Sequence, residues 1–342
     1  MKLVTLKADS DVQLFPIGDV QYGPPACDIN GFQRWIDYAM SHKNPKFIGT
    51  GDYIDLGSPS NRNSIVAEVK RGNLYDTIQQ ALDMKSTEFL NTVKDILKPT
   101  QGKWLGLVEG HHYWEYEDGT TTDEELANYL GCEFLGTSGI VTMKFPRIKN
   151  TTPSCSIWLH HGRGGGASIA GPITQLEKML HSFDADIYLI GHHHKKIATK
   201  VQKLYASSAK RLAHKDVILA CTGSWLKGYM ENSSTYVEKG MMSPAALGGI
   251  KIDIKTEDAS VDMSIVLYEV QMFEKEKLQD LGERCVMTFA QAFLGIVAAG
   301  PMVGMDVEPM KAGAAAGVAA VLSVVKTYVA QHSGDKSGNL LK

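Results

Sequence analysis

The 342-residue sequence has few cysteines, little net charge and no apolar leader at its start. Its 5 cysteines, Cys27, Cys132, Cys155, Cys221 and Cys285, are odd in number, widely spaced and without a Cys-x-x-Cys pair. That excludes a disulfide framework, and no cysteine needs a catalytic role. A net charge of -3 supplies no global basic field, so strong nonspecific nucleic-acid binding is not expected from charge alone. Met1 to Thr5 lacks the apolar run of a signal peptide, so the expected compartment is the reducing cytoplasm. The glycine-rich stretch from Gly162 to Gly166 lacks the Gly-Lys-Ser/Thr ending of a nucleotide P-loop, which excludes a kinase or NTPase reading.

What the chain does have is histidine in clusters. Of 11 histidines, seven lie at 111–112, 160–161 and 192–194. Each cluster follows a short apolar run, as in Asp186 to Ile190 before Gly191-His192-His193-His194. Such runs, rich in β-branched and aromatic residues and bounded by glycine, read as buried strands. His192 and His194 alternate along the backbone, so one strand end can aim both into a cavity while His193 points away.

The same pattern recurs upstream. Val12 to Ile17 leads into Gly18-Asp19-Val20-Gln21, and Lys46 to Thr50 into Gly51-Asp52-Tyr53-Ile54-Asp55. Trp104 to Glu109 leads into Gly110-His111-His112-Tyr113, and Ser156 to Leu159 into His160-His161-Gly162. Helical spacing of apolar residues marks Gly31 to Lys43 and Leu74 to Leu97, with shorter helices from Asp123 to about Gly131 and near 172–183. Residues 56–73 read as a polar excursion over the site, and 225–248 as loop-rich. Further strands are expected at Val217 to Cys221, Ile250 to Ile254 and Val261 to Tyr268. Strands alternating with helices and then a β-rich close predict an α/β fold, a mixed β-sheet sandwich flanked by helices.

The clustered histidines, with Asp19, Gln21, Asp52 and Asp55, form a mixed oxygen and nitrogen donor set that suits Mn, Zn or Fe. A carboxylate can bridge two such cations, and a pair held ~3.5–4 Å apart clamps the attacking and leaving oxygens of an in-line displacement. Arg163, in a loop where glycine lets backbone approach a ligand, either grips a phosphate oxygen or is an ordinary surface arginine.

The ordered blocks GDVQ, GDYID, GHHY, HHG and GHHH, spanning about residues 10–268, resemble the calcineurin-like metallophosphoesterase superfamily. The resemblance implies a dimetal-dependent phosphoesterase acting on a phosphodiester or phosphomonoester through metal-activated hydroxide. It further implies that Asp19, Gln21, Asp52 and His194 hold one divalent metal ion, and that Asp52 bridges to a second held by His111, His161 and His192. His112 falls where the family keeps the leaving-group acid, and Asp55 where an acid supports the loop. The substrate is then a phosphate ester, with nucleic acid or a nucleotide as first candidates.

Three departures weigh on that reading. Gln21 stands in place of a histidine and is a weaker ligand, so the first metal is expected to sit loosely. His111 replaces an asparagine and favours a more nitrogen-loving ion. Tyr113 replaces the acid that orients the catalytic histidine, which would leave His112 less well poised. The alternative is a degraded site in a protein that works through its tail.

That tail begins after a charged helical linker at 271–284, which closes a catalytic domain of residues 1–270. Residues 285–342 read as an apolar helical hairpin. Cys285 to Met305 is uncharged and approaches the ~20 residues of a membrane span, while Ala312 to Val325 reaches that length only if Lys326 snorkels. Gly300 with Gly304, and Gly313 with Gly317, suit close helix contact. The tail resembles a small two-helix phage holin. That resemblance implies membrane association or self-association through residues 285–330, with attachment to the inner membrane from the cytoplasmic side.

Overall fold

Alternating burial along the strands sets the architecture of residues 1–270. The structure is a computed structural model, described for residues 1–9, 11–57, 59–148, 150–164, 168–206, 211–257, 260–268, 285–292, 314 and 316–323. The strands are β1 (Lys2–Lys7), β2 (Val12–Ile17), β3 (Pro45–Gly49), β4 (Trp104–Leu107), β5 (Ser138–Lys144) and β6 (Ser154–His160), then β7 (Ile187–Ile190), β8 (Lys196–Ala206), β9 (Leu212–Thr222), β10 (Ile250–Glu257) and β11 (Ser260–Leu267). Two mixed sheets result, ordered β1-β5-β6-β7-β9-β8 and β11-β10-β2-β3-β4. β2, β3 and β4 run parallel in one sheet, as do β6, β7 and β9 in the other. Their carboxyl ends are where a parallel sheet places ligand-binding loops.

The helices are α1 (Ile29–Met40), α2 (Pro59–Lys70), α3 (Asp76–Leu97), α4 (Thr122–Leu130), α5 (Ala170–Ser182) and the single turn α6 (Tyr236–Lys239). Leu14, Ile48, Ile252, Val141, Ile157, Leu189 and Ile218 share one buried cluster drawn from both sheets, so the sheets pack face to face. The adjacent residues of β2 and β3, Phe15 and Phe47, point the other way and pack with Trp35, Val93 and Leu126 of α1, α3 and α4. Tyr188 and Leu219 likewise meet Leu176 and Leu180 of α5. The result is a helix-sheet-sheet-helix sandwich. With about 1.5–3 kcal/mol from each large side chain fully buried, this core is a firm platform for the loops at its edge.

Local sequence sets the helix ends. Thr121 accepts a hydrogen bond from the Glu124 amide, Asp123, Glu124 and Glu125 fill the first turn of α4, and Gly131 ends it in the left-handed conformation. Asp28 caps α1 by accepting from Gly31.

The structure corrects the sequence reading in places. The polar segment expected to be an excursion contains a 12-residue helix, α2. Its Ser- and Asn-rich sequence carries no apolar stripe, so periodicity could not reveal it. β1, β5 and β8 were also missed. β1 and β8 are edge strands with little apolar alternation to mark them.

The chain divides into two compact units, Met1–Val270 and Gln271–Lys342. In the second, residues 285–292 and 316–323 are helical. A Cβ placed on Gly317 would come within 2.7 Å of the Phe289 ring, so glycine is what admits that ring. Gly300, Gly304, Gly313 and the 271–284 linker lie outside the described residues. Among the described residues, no helix is long and apolar enough to cross a membrane.

Candidate metal centre

Five strand ends deliver the side chains. The loop after β2 carries Asp19 and Gln21, that after β3 Asp52 and Asp55, and that after β4 His111 and His112. The loop after β6 carries His161, and that after β7 His192 and His194. Asp19, Gln21, Asp52, His192 and His194 all have positive φ, at 48°, 48°, 57°, 68° and 53°. Side-chain-bearing residues visit this region at a cost of about 1–3 kcal/mol each, and such strain collects where a fold is committed to aiming particular groups. Among the described residues, only Asn232 and Met241 also pay it outside glycine. Gly110 permits a close approach, since a Cβ there would run into the Asp52 carboxylate.

The aimed groups converge. Donor atoms of His111, His161 and His192 lie within 4.8 Å of one another, and so do those of Asp19, Asp52 and His161. His161 therefore stands at the junction of the two groups, with Nε2 3.1 Å from Asp52 Oδ2. His111 Nδ1 and His192 Nδ1 are 3.1 Å apart. His194 Nε2 lies 3.0 Å from Gln21 Nε2 and 3.7 Å from Asp19 Oδ1. Asp19, Gln21, Asp52 and His161 are buried.

The hydrogen bonds around the rings decide their tautomers. Thr50 O can only accept, so His161 donates from Nδ1 across 2.7 Å and Nε2 is left bare. In the neutral ring that lone pair faces the Asp52 carboxylate oxygen at 3.1 Å, a gap that either a proton or a metal ion fills. His192 likewise donates from Nε2 to Gly164 O at 2.6 Å, which frees Nδ1 toward His111. His161 Nε2 and Gln21 Oε1 are both buried without a hydrogen-bond partner.

The electrostatics agree. Burial, together with the neighbouring imidazoles, lowers His111 to about 4, and burial lowers His194 to about 4 and depresses His192. These rings are neutral near pH 7, the state a metal ligand needs. Burial raises Asp19 to about 8. Burial works against the charged forms of Asp52 and His161, yet their mutual attraction wins, holding Asp52 well below the carboxylate range and lifting His161 to about 9. Without a metal, a proton occupies the place a divalent ion would take.

His112 lies at the margin. Its Nδ1 is 2.8 Å from Asp55 Oδ1 and its Nε2 is 4.0 Å from Asp52 Oδ2. Burial opposes its charge, but the Asp55 hydrogen bond and the Asp52 charge prevail and raise its pKa. Asp55, from the loop after β3, thus holds the His112 ring through Nδ1. His160 turns aside, accepting from the Gly162 amide and stacking on Trp158. Arg163 is exposed in the loop after Gly162.

Two supporting residues escaped the sequence reading. Asp123 is buried at the start of α4, raised by that burial to about 7, and accepts from the Gly110 amide at 2.8 Å. Arg62 of α2 donates to His111 O and Tyr113 O. The Thr-Thr-Asp-Glu capping pattern could have marked Asp123 as a helix-start residue. Nothing in the sequence around Arg62 marks its role.

Comparison with known proteins adds two findings. Residues 274–340 match the family model described as "Putative lactococcus lactis phage r1t holin". The tail is holin-like. No curated protein matches the chain significantly. Among solved structures, a double mutant of Vps29 from Entamoeba histolytica aligns at 15% identity and TM-score 0.32, over 75% of this chain and 99% of its own. Vacuolar protein sorting 29 from Cryptosporidium parvum gives 14% and 0.31 over 76% and 100%. A Streptococcus pneumoniae protein described as a predicted phosphoesterase gives 10% and 0.29 over 78% and 96%.

Proposed function

We propose that residues 1–270 form a dimetal phosphoesterase. The observation that carries this reading is His161, whose buried Nε2 faces Asp52 Oδ2 at 3.1 Å at the meeting point of two donor groups. Asp19, Gln21, Asp52 and His194 would hold one ion, and Asp52, His111, His161 and His192 the other. Neutral imidazoles with carboxylates fit Mn, Zn or Fe. Bound there, two divalent cations would supply the charge that activates water and neutralises a phosphate ester.

The chain's own groups do the rest. Asp52 sets the distance between the two donor groups. Asp55 keeps His112 oriented and raises its pKa, so that its free Nε2 can give a proton to the departing oxygen. Arg163, exposed in the adjoining loop, is the side chain proposed to meet a phosphate oxygen, and a phosphodiester of a nucleotide or nucleic acid is the substrate class proposed. Hydrolysis of bis(p-nitrophenyl) phosphate, measured with Mn, Zn, Ni and Mg and with chelator, tests the reading. Turnover should require metal and fall roughly a thousand-fold or more in Asp52→Asn, the size expected when several kcal/mol of charge stabilisation are lost. Turnover indifferent to chelator, or absent with every metal, contradicts it.

The holin match favours a second role for the tail, which would bring the catalytic domain to the cytoplasmic face of the inner membrane or join copies of the chain. Full-length protein should float with liposomes while a chain ending near Tyr268 stays behind. Equal behaviour of the two removes the membrane role.

A further inference from the structure

α2 is an unusual helix. Among its described side chains Arg62 alone is buried, with 7% of its surface exposed, and no apolar residue of the helix is fully covered. Burying a guanidinium is costly unless its donors are used. Arg62 uses Nη1 on two main-chain carbonyls of one turn, His111 O at 2.9 Å and Tyr113 O at 2.5 Å, and lays its flat face 3.8 Å from the centre of the Tyr113 ring.

The turn it grips is the one that presents two of the site's imidazoles. Its amides already have partners: Asp123 takes Gly110 N at 2.8 Å, and Asp52 Oδ1 takes His111 N at 2.5 Å and His112 N at 2.8 Å. The peptide between His111 and His112 is thus held at its N–H end by Asp52 and at its C=O end by Arg62. That plane joins the Cα atoms of both residues, so its tilt sets where the rings point. A residue far along the chain fixes it without touching either imidazole.

We propose that Arg62 is a positioning residue for the His111–His112 pair, and that α2 is retained over the site to carry it. The inference rests on the dimetal reading. It predicts that loss of the clamp harms the His111 side of the centre and spares the side held by Asp19, Gln21 and His194.

The test is titration of metal-free full-length protein with Mn²⁺ by calorimetry, beside hydrogen exchange of the 110–113 amides followed by mass spectrometry. Arg62→Met removes the donors, and Arg62→Lys restores part of them. Ala67→Gly weakens α2 without touching the turn. In Arg62→Met one of the two ions should bind roughly 10- to 100-fold more weakly, the usual cost of losing a residue that orients a ligand, with the other unchanged. Exchange at 110–113 should quicken, Arg62→Lys should fall between, and Ala67→Gly should bind as wild type. Arg62→Met that binds both ions like wild type, with unchanged exchange, overturns the proposal, as does an equal loss in Ala67→Gly. If Arg62→Met fails to fold, Arg62→Lys decides: wild-type binding and exchange overturn the clamp, and selective weakening of one ion supports it. Wild-type protein that takes up no Mn²⁺ counts against the dimetal reading instead, and exchange alone then judges the clamp: faster in Arg62→Lys supports it, unchanged overturns it.

Discussion

The two donor groups that meet at His161 are built differently. On the His111 side, His161 and His192 each donate their second nitrogen to a main-chain carbonyl, Thr50 O and Gly164 O, so ring orientation and tautomer are settled before any ion arrives. On the other side stand Asp19, His194 and the amide of Gln21, whose oxygen is buried without a partner and whose nitrogen faces His194 and Asp52. Holding an ion there asks the amide to turn its oxygen inward, since its two ends differ in chemistry and hardly in shape. In the dimetal reading, one half of the centre is thus oriented by main-chain carbonyls while the other depends on a turn of the Gln21 amide. The prepared half should be the tighter.

The largest effect expected from that asymmetry is on metal affinity. His161→Ala should abolish the tight site and disturb the shared carboxylate, while Gln21→Ala should weaken only the loose site, by roughly 10- to 100-fold, as when a supporting ligand is lost. Calorimetric titration with Mn²⁺ separates the two. Equal losses in both variants would erase the distinction.

A smaller effect sharpens the picture around His112. Asp55 holds this imidazole's pKa above the ordinary value, so the protonated acid survives to higher pH than a free histidine would. In Asp55→Asn the raising hydrogen bond to a charged partner is gone and the pKa falls. The high-pH limb of the kcat profile, where the acid loses its proton, should then move to lower pH. A limb that stays in place would remove His112 from the role of acid.

The alternation of buried apolar runs with glycine-bounded acids and imidazoles made the sandwich and its five site-bearing loops legible in the sequence. Strand geometry then does the rest, because parallel strands carry their loops to one edge. What stayed hidden was support. Thr50 O and Gly164 O are backbone atoms and leave no mark in a residue pattern. Asp123 looks like an ordinary helix-start acid, and its carboxylate turns inward only because α4 packs beside Gly110. Arg62 lies in a polar stretch without periodicity, so neither its helix nor its burial could be anticipated. The contact between Asp55 and His112, which lie in different blocks, is likewise visible only once the loops are folded together.

The central claim is that five distant loops gather their donors around a pair of cations. Anomalous scattering from crystals grown with Mn²⁺ tests it most directly. Two peaks are expected about 3.5–4 Å apart with Asp52 between them, one within reach of Asp19, Gln21 and His194 and the other of His111, His161 and His192. Peaks elsewhere on the surface, or none in this pocket, would contradict it.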